Sequence, residues 1–407
     1  MTVNNPQMKD MESLKGEFEK THPNISVNFI QMEENDLRAA VTKDIASGGG
    51  QYDVITIGAY ETPIWAKNGW LTDLTQKASS DAKYDVDDII PAVRKGLTVD
   101  DKLWAVPFYG ESSFLMYNKD LFKAAGITAV EHPTWDQVES WAAKLKTKDT
   151  AGICLRGKPG WGEMGGPLTG TLQTSGSGWF DKDWTSQVNT PKFKEAVSRY
   201  VRVLKNSGES DPASFGFTEC LNLFSQGKAA MWYDATVAAA TLESPDSSKV
   251  VGKIGYVHAP TVESKESGWL WSWNLAVPDS SKKKDAAWAF LDWATSKDYL
   301  NLVGTKLGWA KVPPGSRTST YANADYLKAA GDFAPITKEV MESINSTQFG
   351  PLSQPTPGYF PATPGWPEFG NDFTQGVADV LAGRSTVDQL VAKFQPIAQK
   401  VGDDSKK

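Results

Sequence analysis

Three tryptophans recur at every second position late in the chain, and together they could bind a ligand by stacking. They are Trp269, Trp271 and Trp273. Alternate side chains of a β-strand project from the same face, so this spacing predicts three rings on one face of a strand. Indole rings stack on the C–H faces of carbohydrates and polyols, whose hydroxyl groups then need polar partners. Packing in a hydrophobic core is the alternative interpretation.

Polar side chains that could bind such hydroxyl groups lie in or directly after other strand-like runs. The candidates are Tyr60, Glu61, Tyr109, Glu111, Trp232, Asp234 and Asn274. Ligands of open α/β sheets bind outside the carboxyl ends of strands, so we expect these side chains to converge. A charged hydrogen bond contributes roughly 1.5–3 kcal/mol. Four or five such bonds would support a micromolar complex, about −8 kcal/mol, without any catalysis.

The sequence lacks the usual signatures of catalytic and cofactor sites. It contains no GxSxG, no GxGxxG after a strand and no GxxxxGK[ST]. His22, His132 and His258 share no spacing, and HExxH and CxxC are absent. We therefore expect no enzymatic activity, no cofactor and no metal site. Carboxylates among many tryptophans would also suit a secreted glycoside hydrolase, which is the alternative from another functional class.

Size and charge exclude further classes of protein. The chain has 407 residues, with 42 Lys and Arg against 49 Asp and Glu, so its formal net charge is −7. A length of about 150 residues per domain predicts two or three domains. Without a clustered basic surface we expect no binding to nucleic acid. We find no apolar run of the roughly 18 residues needed to span a bilayer.

The cysteines and the amino terminus leave the cellular compartment open. Cys154 and Cys220 could form one disulfide in an oxidising compartment or remain two buried thiols. The chain begins without the basic and apolar regions of a signal peptide. The sequence is therefore compatible with a cytoplasmic protein or with an exported protein whose leader is missing.

The order of the predicted elements indicates the fold class that must position these side chains. Strand-like and helical patterns alternate as β-α-β-α-β over residues 2–58, which predicts an α/β layer with a largely parallel sheet. Capping boxes at Thr134 and Thr386 predict the starts of two helices. The segment 349–370 is rich in Pro and Gly but keeps Tyr359 and Trp366, so we expect it to pack or to bind a ligand.

Several segments, in this order, resemble the extracytoplasmic solute-binding proteins of ATP-driven (ABC) carbohydrate importers, in the maltose-binding-protein-like group. They are Ala46–Val54, Trp65–Leu74, Val106–Tyr109, Met116–Ile127, Phe224–Met231 and Asn274–Pro278. Three further segments are similar to the sorbitol/mannitol branch of this family: Met32–Arg38, Thr62–Lys67 and Leu155–Glu163. The resemblance implies a small sugar alcohol as ligand. A monosaccharide or oligosaccharide bound in the same fold is the alternative.

The resemblance also implies an architecture, the type II periplasmic-binding-protein fold. Two α/β lobes, residues 1–111 with 270–313 and residues 112–269 with 314–407, would be joined by hinge crossovers and would close on a ligand in the cleft between them. The residues that the resemblance adds to the candidate site are Asn5, Glu33, Arg156, Lys306, Arg317 and Trp366. It further implies a monomer whose partners are the permease subunits of an importer. The protein would act outside the cytoplasmic membrane, in the periplasm or on a lipid anchor, after loss of a leader.

Overall fold

The computed structural model describes residues 1–264, 267–343, 360–361 and 363–406, and the chain divides into two compact units. Unit 1 comprises Met1–Glu111 with Leu270–Ala334, and unit 2 comprises Ser112–Trp269 with Pro335–Lys407. Residues 314–334 were instead expected in the second lobe. Arg317 ties this segment to unit 1, because its guanidinium donates to the backbone oxygens of Thr295 at 2.8 Å and Asp85 at 3.0 Å.

Short strands and many helices make up both units. The strands are β1 (Thr2–Val3), β2 (Gln31–Met32), β3 (Ile55–Gly58), β4 (Thr98–Val99), β5 (Lys102–Leu103), β6 (Val106–Glu111), β7 (Ser113–Asn118), β8 (Met231–Ala235), β9 (Ile254–His258) and β10 (Trp271–Ala276). The longer helices, of eight residues or more, are α1 (Pro6–Ser13), α3 (Glu34–Ser47), α8 (Trp135–Leu145), α9 (Gly165–Thr174), α10 (Pro191–Ser207), α11 (Phe217–Ser225), α13 (Lys284–Thr295), α14 (Lys297–Leu307), α16 (Ala334–Ser343), α17 (Trp366–Leu381) and α18 (Val387–Ser405). The shorter helices are α2 (Lys15–Thr21), α4 (Glu61–Lys67), α5 (Thr75–Ser80), α6 (Pro91–Gly96), α7 (Lys119–Ala124), α12 (Ala238–Leu242) and α15 (Ala324–Ala330).

The main sheet of unit 1 has the strand order β3-β10-β6. Strand β10 runs antiparallel to both neighbours, with Trp273 opposite Gly58 on one side and Tyr109 on the other. The parallel arrangement predicted for residues 2–58 is thus confirmed for β1 and β2, which pair in parallel, but is wrong for the sheet that contains β3. Strands β3 and β6 run parallel to each other, as the helices that connect them favour. They do not pair directly, because the antiparallel β10 lies between them.

Unit 2 contains a second three-stranded sheet, in the order β8-β7-β9, in which both pairs are antiparallel. A disulfide joins Cys154 to Cys220, with the Cα atoms 5.7 Å apart. Cys154 pairs with Trp232 through an isolated bridge, and Cys220 lies on α11, so the bond fastens this helix beside the sheet. A disulfide is typical of a protein that folds in an oxidising compartment.

The predicted capping boxes are confirmed at Thr134, before α8, and at Thr386, before α18. In both, the threonine side chain accepts from the backbone N–H of the third helical residue, which satisfies a donor that the helix leaves unpaired. Trp366 begins α17, whereas Tyr359 lies outside the described residues.

Aromatic side chains fill the interior of each unit. In unit 1, Phe18 packs edge-on against Phe290, with ring centroids 5.4 Å apart. In unit 2, Trp179 packs against Phe193 and Phe373 at 5.2 and 5.0 Å. These contacts pack helices against one another within each unit. In the described part of the chain we found no helix both long and apolar enough to cross a bilayer.

Candidate functional site

A guanidinium group lies against two of the predicted tryptophans in unit 1. The Arg38 Cζ atom is 5.3 Å from the ring centroid of Trp271 and 4.7 Å from that of Trp273. The two indoles lie on the same face of β10 and meet edge-on, 5.7 Å apart. They are 6% and 2% exposed, so they form a buried wall that a cation stabilises through its attraction to the ring faces.

Two carboxylates hold Arg38 in this position. Glu34 Oε1 accepts from Arg38 Nη2 at 2.9 Å and from Nε at 3.2 Å, and Glu61 accepts from Nη1. Glu61 Oε2 also accepts from the backbone N–H of Gly58 at 3.0 Å. Burial acts to lower the pKa of Arg38, but Glu61 and Glu34 outweigh it and the pKa is raised. Arg38 therefore remains a cation, with its charge satisfied by fixed partners.

Four more predicted residues lie in hydrogen-bonded or buried positions of unit 1. Asn5 Nδ2 donates to the hydroxyl of Tyr109 at 2.8 Å, and Glu33 Oε1 accepts from Asn4 Nδ2 at 2.6 Å. Burial, followed by the charge of Glu61, raises the pKa of Tyr60 well above its usual value. The Tyr60 hydroxyl therefore stays neutral and can both donate and accept a hydrogen bond.

Glu111 ends strand β6, where the sequence predicted a cleft carboxylate. It pairs with Trp271 in the register of β6 and β10, so the sheet brings a carboxylate next to an indole. Its side chain is buried. An acidic group beside an aromatic ring matches the pairing that hydroxyl binding requires.

In unit 2, Asp234 and Arg156 form a buried, two-pronged ion pair. Arg156 Nε and Nη2 donate to the two carboxylate oxygens at 2.9 and 2.6 Å. The same oxygens accept from Trp232 Nε1 at 3.1 Å and from the backbone N–H of Ala235 at 2.6 Å. Asp234 is fully buried. These four donors occupy the acceptor sites of the carboxylate, so Asp234 orients Arg156 and Trp232 in this structure. Its role as a direct acceptor of ligand hydroxyls stays a prediction.

Arg156 has further contacts that fix its position. Its Nη1 donates to the backbone oxygen of Gly162 at 3.1 Å and lies 3.6 Å from Glu163 Oε2. Its guanidinium carbon is 5.0 Å from the ring centroid of Phe217. Because Phe217 shares α11 with Cys220 and Arg156 follows Cys154 by two residues, the disulfide holds the two sides of this arginine site together.

Trp366 lies in an aromatic cluster of unit 2. Its ring centroid is 4.9 Å from that of Trp179 and 5.5 Å from that of Phe360. The side chain is fully buried, and its indole N–H has no hydrogen-bond partner among the described residues. An unpaired buried donor is costly unless a ligand or water satisfies it.

Three predicted residues have other contacts. Lys306 is more than half exposed and lies 3.8 Å from Glu17. Arg317 is buried against the backbone of Thr295 and Asp85. Asn274 Nδ2 donates to the backbone oxygens of Ile57 and Ser272 at 3.2 and 3.0 Å, where the register of β10 shifts. These contacts are structural, so they give no support to a ligand-binding role.

The expectation of a three-ring platform is wrong. Strand β10 begins at Trp271, and Trp269 belongs to unit 2, where its ring lies 5.8 Å from that of Tyr233. The three tryptophans are evenly spaced in the sequence, but β10 begins only at the second of them, so Trp269 lies outside the strand. Trp269 is thus a core residue of the other unit.

Arg38, Glu34 and Glu163 were not among the predicted site residues. Glu34 and Arg38 are four positions apart, a spacing that places opposite charges on one helix face, and this signal was available. Glu163 had no such local signal, because its partners Arg156 and Phe217 come from different loops and helices. Metal-ligating side chains meet at one group within the described part of the chain, Glu131, His132 and His258, outside the predicted site.

Comparison with known proteins places these features in a family. Residues 4–300 match the sequence model of the bacterial extracellular solute-binding proteins. The chain is 43% identical over 401 residues to the mannitol-binding protein of Pseudomonas aeruginosa, and the alignment covers 97% of this chain and 90% of that protein.

Two solved structures are similar over nearly the full length. The ABC transporter solute-binding protein of Agrobacterium vitis S4 with bound D-mannitol has a TM-score of 0.95 and 46% identity, covering 99% of this chain and 97% of that one. The solute-binding protein of Agrobacterium radiobacter K84 in complex with ribitol has a TM-score of 0.86 and 25% identity, covering 98% and 97%. These matches confirm the predicted fold class.

Proposed function

Because this chain belongs to the bacterial extracellular solute-binding proteins, we propose that it binds a small acyclic sugar alcohol, a hexitol of the mannitol or sorbitol type, and delivers it to the permease of an ABC importer. The observation that carries the proposal is the similarity, along nearly the whole chain, to a mannitol-binding protein and to a structure that holds D-mannitol. The family is one of binding proteins, which agrees with the prediction that the chain is not an enzyme.

The chemistry of two charged clusters suits such a ligand: Arg38 with Glu34 and Glu61 in unit 1, and Arg156 with Asp234 in unit 2. A hexitol presents C–H groups along its chain and a hydroxyl group on every carbon. The indoles of Trp271 and Trp273 offer apolar faces, while Glu111, Tyr60 and Arg156 offer acceptors and donors. Since each side chain is held by protein contacts before the ligand arrives, little conformational entropy is lost on binding.

We further propose that one ligand contacts residues of both units, which would close around it as in the family that the chain resembles. On this proposal Glu111, Trp271 and Trp273 contribute from unit 1, and Arg156 and Trp366 from unit 2. If a ligand contacts both units, its binding and the closure of the protein are thermodynamically coupled, so a change that weakens one also weakens the other.

The family is extracellular, and we propose that this protein acts as a monomer in the periplasm or on a lipid anchor, beside permease subunits in the membrane. The disulfide between Cys154 and Cys220 is consistent with an oxidising compartment. The net charge of −7 supports the absence of a nucleic-acid partner.

A thermal-shift panel of mannitol, sorbitol, ribitol, common hexoses and disaccharides tests the ligand class. We expect hexitols to raise the melting temperature most, since a ligand at about a hundred times its Kd adds roughly 2.7 kcal/mol to the free energy of unfolding. Isothermal titration calorimetry on the same compounds then gives the affinities.

Stabilisation by a disaccharide with no response to any hexitol would overturn the polyol proposal and favour an oligosaccharide ligand. The same samples, analysed by chromatography after long incubation, should contain unchanged sugar. Formation of a hydrolysis product would instead identify a glycoside hydrolase.

A further inference from the structure

Two histidines that are far apart in the sequence lie together in unit 2. The imidazole rings of His132 and His258 are stacked, with their centroids 4.1 Å apart and their planes 23° from parallel. A carboxylate oxygen of Glu131 joins them, and one possible metal-ligating atom from each of the three residues lies within 4.8 Å of the others. The fold therefore assembles a donor set that the spacing of the histidines did not reveal.

The backbone fixes the two segments that carry these donors. The N–H of His258, the last residue of β9, donates to the backbone oxygen of Glu131 at 2.9 Å. Two further bonds continue the pairing, from Thr261 to Pro133 at 3.0 Å and from Trp135 to Thr261 at 2.9 Å. Because the main chains are joined on both sides of His132, its side chain is brought to His258 by the fold and not by a chance surface contact.

A second carboxylate lies at the buried end of the pair. Glu339, on α16, has its Oε2 atom 3.8 Å from His258 Nε2. His258 is 7% exposed, whereas Glu131, His132 and Glu339 are exposed to solvent. An ion could thus enter from solvent, meet the exposed Glu131 and His132 and be held against the buried His258.

We propose that Glu131, His132 and His258 form a binding site for a divalent transition-metal ion, with Zn²⁺ the best fit. Neutral imidazole nitrogens and a carboxylate oxygen are ligands that Zn²⁺ takes at about 2.0–2.2 Å, whereas Mg²⁺ and Ca²⁺ prefer sites made of oxygen atoms alone. Glu339 is placed to act as a fourth ligand. This site is separate from the proposed polyol site and does not depend on it.

Metal binding requires a small rearrangement that the exposed residues allow. Ligand atoms of a tetrahedral Zn²⁺ site lie about 3.4 Å apart when the bonds are about 2.1 Å long, so the three donors must approach one another. The His132 ring must also turn out of the stack until its plane points at the ion. His132 can make both movements because its side chain is exposed, while His258 stays in place at the end of β9.

Titration of Zn²⁺ into chelator-treated protein by calorimetry tests the proposal, at a pH above 7 where imidazole is neutral. We expect one site per chain, and we expect His132→Ala to weaken Zn²⁺ binding by at least about tenfold. His22→Ala is the matched control. His22 stacks on Phe18 in unit 1, so this variant should bind Zn²⁺ as the unchanged protein does.

Two readouts separate coordination from a nonspecific effect. Co²⁺ in place of Zn²⁺ should give the visible absorption of a cation with nitrogen ligands, and His132→Ala should lose it. Zn²⁺ should also raise the melting temperature of the unchanged protein but not that of His132→Ala. Equal Zn²⁺ affinity in the His132 and His22 variants, or no binding by the unchanged protein at micromolar Zn²⁺, would overturn the proposal. Mannitol titrations of the same variants should show no change.

Discussion

Buried arginines determine the chemistry of both charged clusters. Arg156 and Arg38 each lie between carboxylates and aromatic rings, and each is out of contact with most solvent. A buried charge is tolerated only when its partners are in place, so removing one partner costs more than the pair itself contributes. Carboxylates that orient an arginine should therefore affect both stability and ligand binding.

We predict that Asp234→Ala lowers the free energy of unfolding by about 3–5 kcal/mol, because Arg156 stays buried but loses its two-pronged ion pair and keeps only the more distant Glu163 as a counter-ion. Hexitol affinity should fall at least tenfold, about 1.4 kcal/mol, since Arg156 and Trp232 lose their orientation. Urea unfolding and calorimetry measure the two effects.

Asp183→Ala provides the control for the Asp234 experiment, because the exposed side chain of Asp183 pairs only with the exposed Lys182 among its described contacts. Glu111→Ala should also weaken hexitol binding at least about tenfold. If both Asp234→Ala and Glu111→Ala bind hexitols as tightly as the unchanged protein, the assignment of these clusters to the ligand site is wrong.

The carboxyl group of Glu209, whose two oxygens are buried, predicts a dependence of stability on pH. Burial raises the pKa of Glu209 to about 7 from its ordinary value of 4.5, although Lys146 acts in the opposite direction. The folded state therefore holds a proton that the unfolded state releases between these two values, and the free energy of unfolding falls as pH rises through this window.

Glu209→Gln should remove this component of the pH dependence. At pH 8 the variant should be more stable than the unchanged protein by roughly 1–3 kcal/mol, whereas near pH 4 the difference should be small. Urea unfolding at both pH values measures it. Glu195→Gln, on the exposed face of α10, should show no such trend, and a constant difference between the Glu209 variant and the unchanged protein would contradict the prediction.

Local elements were predictable from the sequence where short-range signals determine them. The capping boxes at Thr134 and Thr386 each depend on two residues within one turn, and both were found. The direction of β10 and the separation of Trp269 from Trp271 were not predictable, because they depend on which distant strands accept the segment. The approach of His132 to His258 and of Arg156 to Asp234 likewise requires the tertiary fold.

The disulfide is an element-scale constraint, since it closes a loop with a sequence separation of 66. The chain-entropy relation gives about 4 kcal/mol for a loop of this length. We predict that the double variant Cys154→Ala, Cys220→Ala loses roughly 2–5 kcal/mol of unfolding free energy and binds hexitols more weakly, because α11 is released from the Arg156 site.

Urea unfolding with and without a reducing agent checks this prediction. The reductant should destabilise the unchanged protein to the level of the double variant and leave the double variant as it was. An unfolding midpoint of the unchanged protein that is the same before and after verified reduction would show that the bond contributes nothing to stability.

At the scale of the whole molecule, the family and fold were predictable because many weak segments occur in the right order, from Ala46–Val54 to Asn274–Pro278. The individual site residues were harder to predict. Glu111 and Trp271 were predicted from strand-like runs, and the structure pairs them across β6 and β10. Lys306 and Arg317 were assigned from a loose match and have other contacts in the structure.

If one hexitol contacts both units, ligand binding should make the molecule more compact. We predict that saturating mannitol reduces the radius of gyration measured by small-angle X-ray scattering, because ligand contacts favour a closed state. The control is the same concentration of a disaccharide that gives no thermal shift, because dissolved sugar by itself changes the scattering contrast between protein and solvent. An unchanged radius at proven saturation would restrict the ligand to one unit.

The position of β10 in the chain also has a consequence for how the protein is made. The sheet of unit 2 needs nothing beyond His258, whereas the sheet of unit 1 lacks its middle strand until residue 276 is available. In a polypeptide that emerges from a ribosome or a translocation channel with its amino terminus first, β3 and β6 therefore lack the strand that pairs with both of them for most of its synthesis. The sheet of the unit that begins first is therefore completed after the sheet of the second unit.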